Sequence, residues 1–219
     1  MRVLFTAIFA IFLCSAGFSQ KFILENYNPR EKEVIKSPKI TYYGVDFSKL
    51  RLTEAKQVGK DLLLRKYFSA WLGFLEKKYR PEYYVKKLLK KENFSYSPSD
   101  VQNRISLVPE KWVELGDYSF NIDTVKSVVA SYHLQEKVGI GFVIIAENFN
   151  DRNNNLTEYC TFFDIASKEV LWATKVVGHP SGIGMTKYWG NGVFDAFKKY
   201  LYNLYFLELK KDRKEKRID

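Results

Sequence analysis

A short glycine-rich stretch, residues 178–184 (Gly-His-Pro-Ser-Gly-Ile-Gly), holds the residues best suited to bind a ligand or do chemistry. It stands between a predicted strand and a predicted helix, and the backbone N–H groups at a helix start lack intrahelical partners and bind anions. The residues expected to take part are Gly178, His179, Ser181, Gly182, Gly184 and Lys187, with Tyr188 and Trp189 beside them. The alternative is a tight strand-to-helix turn, whose glycines only supply a positive φ.

Four lysines, Lys86, Lys87, Lys90 and Lys91, form a second candidate site. A helix that starts at Pro81 carries an apolar stripe, and these lysines fall on its other side. Their i, i+4 spacing sets like charges next to each other at a local cost, which indicates a face that attracts anions. The alternative is an ordinary solvated helix face.

Common catalytic and metal-binding motifs are missing from the sequence. It has no G-x-S-x-G, H-E-x-x-H or Walker-type motif, and no paired C-x-x-C. Asp151, Asn153 and Asn155 are spaced like calcium ligands, but Phe162 stands where the closing carboxylate belongs, so a hairpin tip is favoured. We predict no catalytic residue set, metal or cofactor, and Cys160 reads as a small core residue.

Residues 1–19 read as a secretory signal peptide. Arg2 precedes an apolar run from Val3 to Leu13, and Gly17 and Ser19 fit the small-residue requirement of a signal peptidase. We expect cleavage near Ser19/Gln20 and a secreted or periplasmic bacterial protein, with no transmembrane helix after cleavage. Cys14 follows Phe12 and Leu13 rather than small residues, which argues against a lipoprotein.

The charge of the chain bears on its partners. Its formal net charge is +10. In a cytoplasmic protein this basic balance would suggest nucleic acid, but outside the cytoplasm it favours an anionic glycan, a lipid surface or an acidic envelope protein. Because one of the two cysteines lies in the signal, the mature chain has no pair for an internal disulfide.

Hydrophobic periodicity predicts an α/β (α+β) fold after the signal peptide. We expect an extended leader at 20–38, a single domain at 39–209 and a charged tail at 210–219. The domain should hold a mixed, largely antiparallel sheet of about four or five strands with amphipathic helices packed on it. A run at 138–146 is apolar on both alternations, as in a central strand covered on both faces. Trp172 and Trp189 should be buried, one on a hairpin strand and one on the helix that covers it.

The hairpin segment carries a family resemblance. In residues 163–172 (Phe-Asp-Ile-Ala-Ser-Lys-Glu-Val-Leu-Trp) an aspartate precedes the turn and a tryptophan follows it. With the glycine stretch and the Trp189 helix, residues 138–207 resemble the α/β domains of uncharacterised secreted proteins of the Bacteroidota. They are more remotely similar to the periplasmic domain of curli-type secretion components. The resemblance implies an envelope or secreted location and no known catalytic residues.

Two function classes are compatible with these features. The first is an exported, non-enzymatic protein that binds or scaffolds another component of the cell envelope. The second is an extracytoplasmic enzyme with its site at residues 178–184 and His179 as acid/base. A histidine grouped with a carboxylate inside a deep pocket would favour the enzyme, whereas a histidine beside a flat surface would favour binding.

Overall fold

A mixed eight-stranded sheet runs through the part of the chain that the computed structural model describes, residues 23–54, 62–107 and 112–216. The predicted signal peptide lies outside these residues. The strands are β1 (Ile23–Tyr27), β2 (Lys39–Asp46), β3 (Arg51–Thr53), β4 (Asn93–Tyr96), β5 (Val113–Glu114), β6 (Ile140–Asn150), β7 (Asn155–Asp164) and β8 (Val170–Gly178).

The order of the sheet is β1-β8-β7-β6-β2-β4, and β3 joins β6 to β5. The first four strands in this order pair antiparallel. The remaining pairings are parallel. The predicted mixed α/β fold is confirmed, but the sheet has more strands than expected and only one half of it is antiparallel. The additional strands are short, and a short strand shows too little alternation to be recognised from sequence.

Seven α-helices are described: α1 (Glu31–Lys36), α2 (Phe68–Tyr79), α3 (Pro81–Leu89), α4 (Ser99–Gln102), α5 (Ile122–Ala130), α6 (Met185–Tyr200) and α7 (Phe206–Glu215). A π-helical turn precedes α2 at Leu63–Tyr67, and another joins α6 to α7 at Leu201–Tyr205. A 3₁₀ turn, Asn103–Leu107, follows α4. None of the described helices is long and apolar enough to span a membrane.

The sheet is covered on both faces, as the doubly apolar β6 predicts. Phe142 and Ile144 belong to a core shared with α2, α3 and α6. Val143 and Ile145 belong to a second core on the other face, shared with α5. Trp172 and Trp189 are both buried in the first core, which confirms that prediction.

The segment predicted as an extended leader is part of the fold from residue 23 onward. β1 pairs antiparallel with β8 as an edge strand. Asn26 Oδ1 accepts hydrogen bonds from Trp172 Nε1 at 3.0 Å and Thr174 Oγ1 at 2.7 Å. In α1, Val34 and Ile35 are buried. The leader prediction was wrong because two adjacent apolar residues are too few to show a helical period.

The residues predicted as a charged C-terminal tail are largely part of a helix. α7 continues to Glu215, and residues 217–219 lie outside the described part of the chain. Ion pairs along the helix join Lys211 to Glu208 at 2.5 Å and Lys216 to Asp212 at 3.0 Å. Opposite charges at this spacing stabilise a helix surface, so mixed charge here supports structure.

Candidate functional site

Loop 178–184 joins β8 to α6, and its glycines have clear structural reasons. A Cβ on Gly178 would lie 2.2 Å from the carbonyl oxygen of Gly192, so α6 crosses the strand in direct backbone contact. Gly182 and Gly184 have φ of +104° and +81°, which side-chain-bearing residues rarely adopt. These conformations are those that the tight-turn interpretation requires.

Hydrogen bonds from neighbouring side chains hold the loop in place. Asn191 Nδ2 donates to the carbonyl oxygen of Ser181 at 2.8 Å, and Lys78 Nζ donates to Asn191 Oδ1 at 2.6 Å. The backbone N–H of Ser181 donates to the Tyr188 carbonyl at 3.3 Å. Tyr188 in turn donates through its hydroxyl to Asn154 at 3.0 Å. The Ser181 amide, one of the groups predicted to hold an anion, is therefore occupied within the loop.

Ile183 projects from this fastened loop into solvent. Its exposed fraction is 94%, the highest among the large exposed apolar side chains of the described residues. Lys187 is exposed beside it, with its Cβ 3.3 Å from the position that a Cβ on Gly182 would occupy. The loop therefore presents an exposed aliphatic side chain.

His179 lies at the surface with a carboxylate and an amine from α6. Its backbone N–H donates to Asp195 Oδ2 at 2.9 Å, and its Nδ1 is 2.8 Å from Lys199 Nζ. Lys199 also pairs with Asp195 at 2.5 Å. Asp195 Oδ2 lies 3.8 Å from the same Nδ1, so the three side chains form one cluster. Half of the imidazole is exposed, so the cluster lies on an open surface.

The four lysines predicted to form one anion-attracting face lie in α3 and just after it, and the structure gives them different surroundings. The Lys90 amine lies 4.9 Å from the Phe206 ring centre, and the Lys87 amine lies 5.9 Å from that of Tyr83. Lys86 lines an open cleft with Glu76, Arg80 and Tyr83. These three lysines are exposed but have different neighbours, whereas Lys91 is buried.

Lys91 does not belong to an anion-attracting face. Its Nζ donates to the carbonyl oxygens of Val34 at 2.7 Å, Ile35 at 2.9 Å and Ser37 at 2.7 Å. These carbonyls end α1, where a helix has acceptors without intrahelical partners and a cation is favourable. Burial lowers the pKa of Lys91 to about 8. The site prediction was wrong for this residue because its partners lie far away in sequence.

Sequence reasoning missed a polar network on the face of the sheet that carries α5. Glu147 and Lys175 are both buried, and their side chains pair at 3.0 Å. Lys175 Nζ also donates to Ser119 Oγ and to the Phe120 carbonyl, each at 2.8 Å. The Phe120 N–H donates to Glu147 at 2.6 Å. A charged residue inside an apolar strand was the available signal, but it does not reveal its partner.

A second missed cluster lies at the end of β2. Asp46 is fully buried and accepts from the Ser48 N–H at 2.7 Å and the Tyr132 hydroxyl at 2.9 Å. Arg104 pairs with Asp46 at 3.3 Å and lies 5.0 Å from the Tyr132 ring centre. Burial, followed by the Asp46 charge, raises the pKa of Tyr132 well above its ordinary value. The full set of partners around the carboxylate indicates a structural role.

Glu158 of β7 is buried without a partner. Both carboxylate oxygens lack a hydrogen bond, and the side chain has no exposed surface. Burial first, and the charge of Asp195 second, raise its pKa well above the ordinary value. The neighbouring Cys160 is also buried, and burial raises the pKa of its thiol. The cysteine is therefore a core residue, as predicted. In the described part of the chain, no cluster of three or more His, Cys, Asp or Glu side chains is suited to bind a metal.

Comparison of the chain with protein-family models, curated proteins and solved structures finds no match. The resemblance of residues 138–207 to secreted envelope domains therefore stays a prediction.

Proposed function

We propose that the chain is exported after cleavage near Ser19/Gln20 and acts as a non-enzymatic protein of the cell envelope, binding or scaffolding another envelope component through loop 178–184. The exposure of Ile183 supports this most directly. Burial of a fully exposed isoleucine by a partner contributes about 1.5–3 kcal/mol of favourable free energy to binding. Because hydrogen bonds already fasten the loop at Ser181, binding requires little further ordering of the chain.

The arrangement around His179 favours binding over acid/base catalysis. Lys199 Nζ lies 2.8 Å from Nδ1 and Asp195 Oδ2 lies 3.8 Å from it, so side chains of α6 already surround this nitrogen. The side chain is half exposed rather than enclosed in a pocket that excludes water. Charged groups at such a position suit the polar rim of an interface, where they influence association rate and partner choice.

The binding proposal predicts a specific loss. The protein beginning at Gln20 would be immobilised, and envelope extract would be passed over it. The amount of bound partner would then be compared between the Ile183→Ser and Val138→Ser variants. Both residues are exposed apolar side chains, but Val138 precedes β6 and lies outside loop 178–184. Partner retention should fall at least about tenfold for Ile183→Ser and stay unchanged for Val138→Ser, since 1.4 kcal/mol corresponds to a factor of ten. Equal retention by the two variants would refute the assignment of the loop.

Export has a separate test. Mass spectrometry of the protein recovered from the periplasm or medium should find an N-terminus near Gln20. Recovery of the protein in the cytoplasm with Met1 still present would contradict export while leaving the loop experiment interpretable.

A further inference from the structure

An open cleft with a volume of 590 Å³ lies at the bend between α2 and α3. Its size is within the range of small-molecule sites. The side chains that line it are mostly charged or aromatic: Glu76, Arg80, Glu82, Tyr83, Lys86 and Tyr96. None of them belongs to loop 178–184, so the cleft is separate from the loop that we propose binds an envelope component.

The backbone of Arg80 shapes this cleft. Its φ of 39° is left-handed, and its N–H closes α2 on the Glu76 carbonyl at 3.0 Å. Pro81 then begins α3. A left-handed residue between two helices changes the chain direction, and it places Arg80 at the bend. Such a conformation costs about 1–3 kcal/mol in a residue with a side chain.

Opposite charges in the cleft do not neutralise each other. Glu76 precedes Arg80 by four residues, and Glu82 precedes Lys86 by four, a spacing at which such pairs meet on a regular helix. Neither pair comes within ion-pair distance, and Arg80, Glu82 and Lys86 make no side-chain hydrogen bond or ion pair with another described residue. Two cations and a carboxylate therefore face the cleft with their hydrogen-bonding capacity unused.

The opposite wall of the cleft is held in a fixed orientation. Tyr96 donates its hydroxyl proton to Glu76 Oε1 at 2.8 Å, and Gln102 Nε2 donates to the same oxygen at 3.1 Å. Burial and this hydrogen bond raise the pKa of Tyr96. The Glu76 carboxylate is thus a positioned acceptor rather than a mobile surface group, and its pairing with Tyr96 links α2 to β4.

Tyr83 contributes an exposed aromatic ring to the cleft. Its exposed fraction is 65%, and it is one of the large exposed apolar side chains of the described residues. The Lys87 amine lies 5.9 Å from its ring centre, a contact distance for a cation and an aromatic face. An exposed aromatic ring beside hydrogen-bonding groups provides a platform for a ligand with one flat apolar face.

We propose that this cleft binds a sugar that carries a carboxylate, such as a uronic acid unit. Arg80 and Lys86 would pair with the carboxylate, and a guanidinium does so through two parallel hydrogen bonds. The carboxylates of Glu76 and Glu82 would accept from hydroxyl groups, and Tyr83 would cover the apolar face of the ring.

Calorimetric titration with tri-galacturonic acid and with its methyl ester tests the proposal. The ester retains the sugar rings and loses the charges, so the parent chain should bind the acid at least about ten times more tightly, the factor expected from one charge-assisted hydrogen bond. Arg80→Asn should abolish this preference, and asparagine tolerates the left-handed backbone at this position. Tyr83→Ala should weaken binding of both ligands about tenfold.

Lys77→Gln is the matched control, because Lys77 is exposed on α2 but does not line the cleft. It should leave both affinities unchanged. Lys86→Gln provides a second removal of charge if Arg80→Asn fails to fold, as judged by its urea midpoint. Equal affinity for acid and ester, no binding of the acid at millimolar concentration, or an equal loss in Lys77→Gln would each overturn the proposal. None of these outcomes affects the test of Ile183.

Discussion

Glu147 and Glu158 are neighbours in the sheet that face opposite ways. β6 and β7 pair with Ala146 opposite Glu158, so the two carboxylates lie one residue apart in register. Glu147 faces the side that carries α5, where Lys175 meets it at 3.0 Å. Glu158 faces the side that α6 covers, where neither of its oxygens has a partner. Both side chains are almost completely buried.

The difference shows two ways to bury an acid. A buried carboxylate needs compensation, because removing its charge from water costs several kcal/mol. On one face a lysine supplies the opposite charge together with hydrogen bonds to Ser119 and Phe120. On the other face burial raises the pKa of Glu158, which favours its protonated, neutral form. The first arrangement depends on a particular side chain, and the second depends on pH.

Removing the lysine should have the largest effect. Lys175→Met leaves Glu147 as an uncompensated buried charge, and we expect the free energy of unfolding to fall by about 3–5 kcal/mol. Urea denaturation at neutral pH measures the loss. Lys198→Met is the control, because Lys198 lies on the outer side of α6 near the Phe194 ring and has no ion pair with a described residue. An unchanged midpoint in Lys175→Met would show that the Glu147–Lys175 pair contributes little.

Glu158→Gln should change the pH dependence of stability. The folded protein keeps a proton on Glu158 that the unfolded chain releases above its ordinary pKa of about 4.5. Stability associated with this group is therefore complete below pH 4.5 and is lost as pH rises toward the raised folded value, by about 1.4 kcal/mol per pH unit. The free energy of unfolding of the parent should decline relative to Glu158→Gln as pH rises above about 5. Parallel curves for the two proteins would mean that Glu158 has a normal pKa.

Lys91 provides an intermediate case, a buried cation whose Nζ donates to three backbone carbonyls. Lys91→Met should lower the free energy of unfolding by about 1–3 kcal/mol at neutral pH, the cost of leaving buried acceptors unsatisfied. The neighbouring exposed Lys90→Met is the matched control.

The pH dependence associated with Lys91 has the opposite sign to that of Glu158. Its pKa in the folded protein is about 8, below the ordinary value of 10.5. Between these values the unfolded chain binds the extra proton, so the parent should gain stability relative to Lys91→Met as pH rises from 8 to 10. A constant difference over this range would contradict the lowered pKa.

These polar groups also mark the limit of what the sequence predicts. Periodicity identifies the long β6, β7 and β8 and the amphipathic α6, because their apolar residues repeat over nine or more positions. A charged residue within a strand does not reveal its partner: Arg104 reaches Asp46 across 58 residues, and Lys91 reaches the Val34 carbonyl across 57. The exposure of Ile183 is likewise a property of the folded loop.

The smallest effect is expected where the chain is most exposed. Ile145 lies on the same face of the sheet as Glu147 and is fully buried, whereas Ile183 is 94% exposed. Removing one methylene from each with Ile145→Val and Ile183→Val should lower the free energy of unfolding by about 0.5–1.5 kcal/mol in the first case and by less than about 0.5 kcal/mol in the second. Urea midpoints measured side by side compare the two changes. A comparable loss from Ile183→Val would mean that this side chain packs against the protein, and the binding proposal would then lose the exposed isoleucine on which it rests.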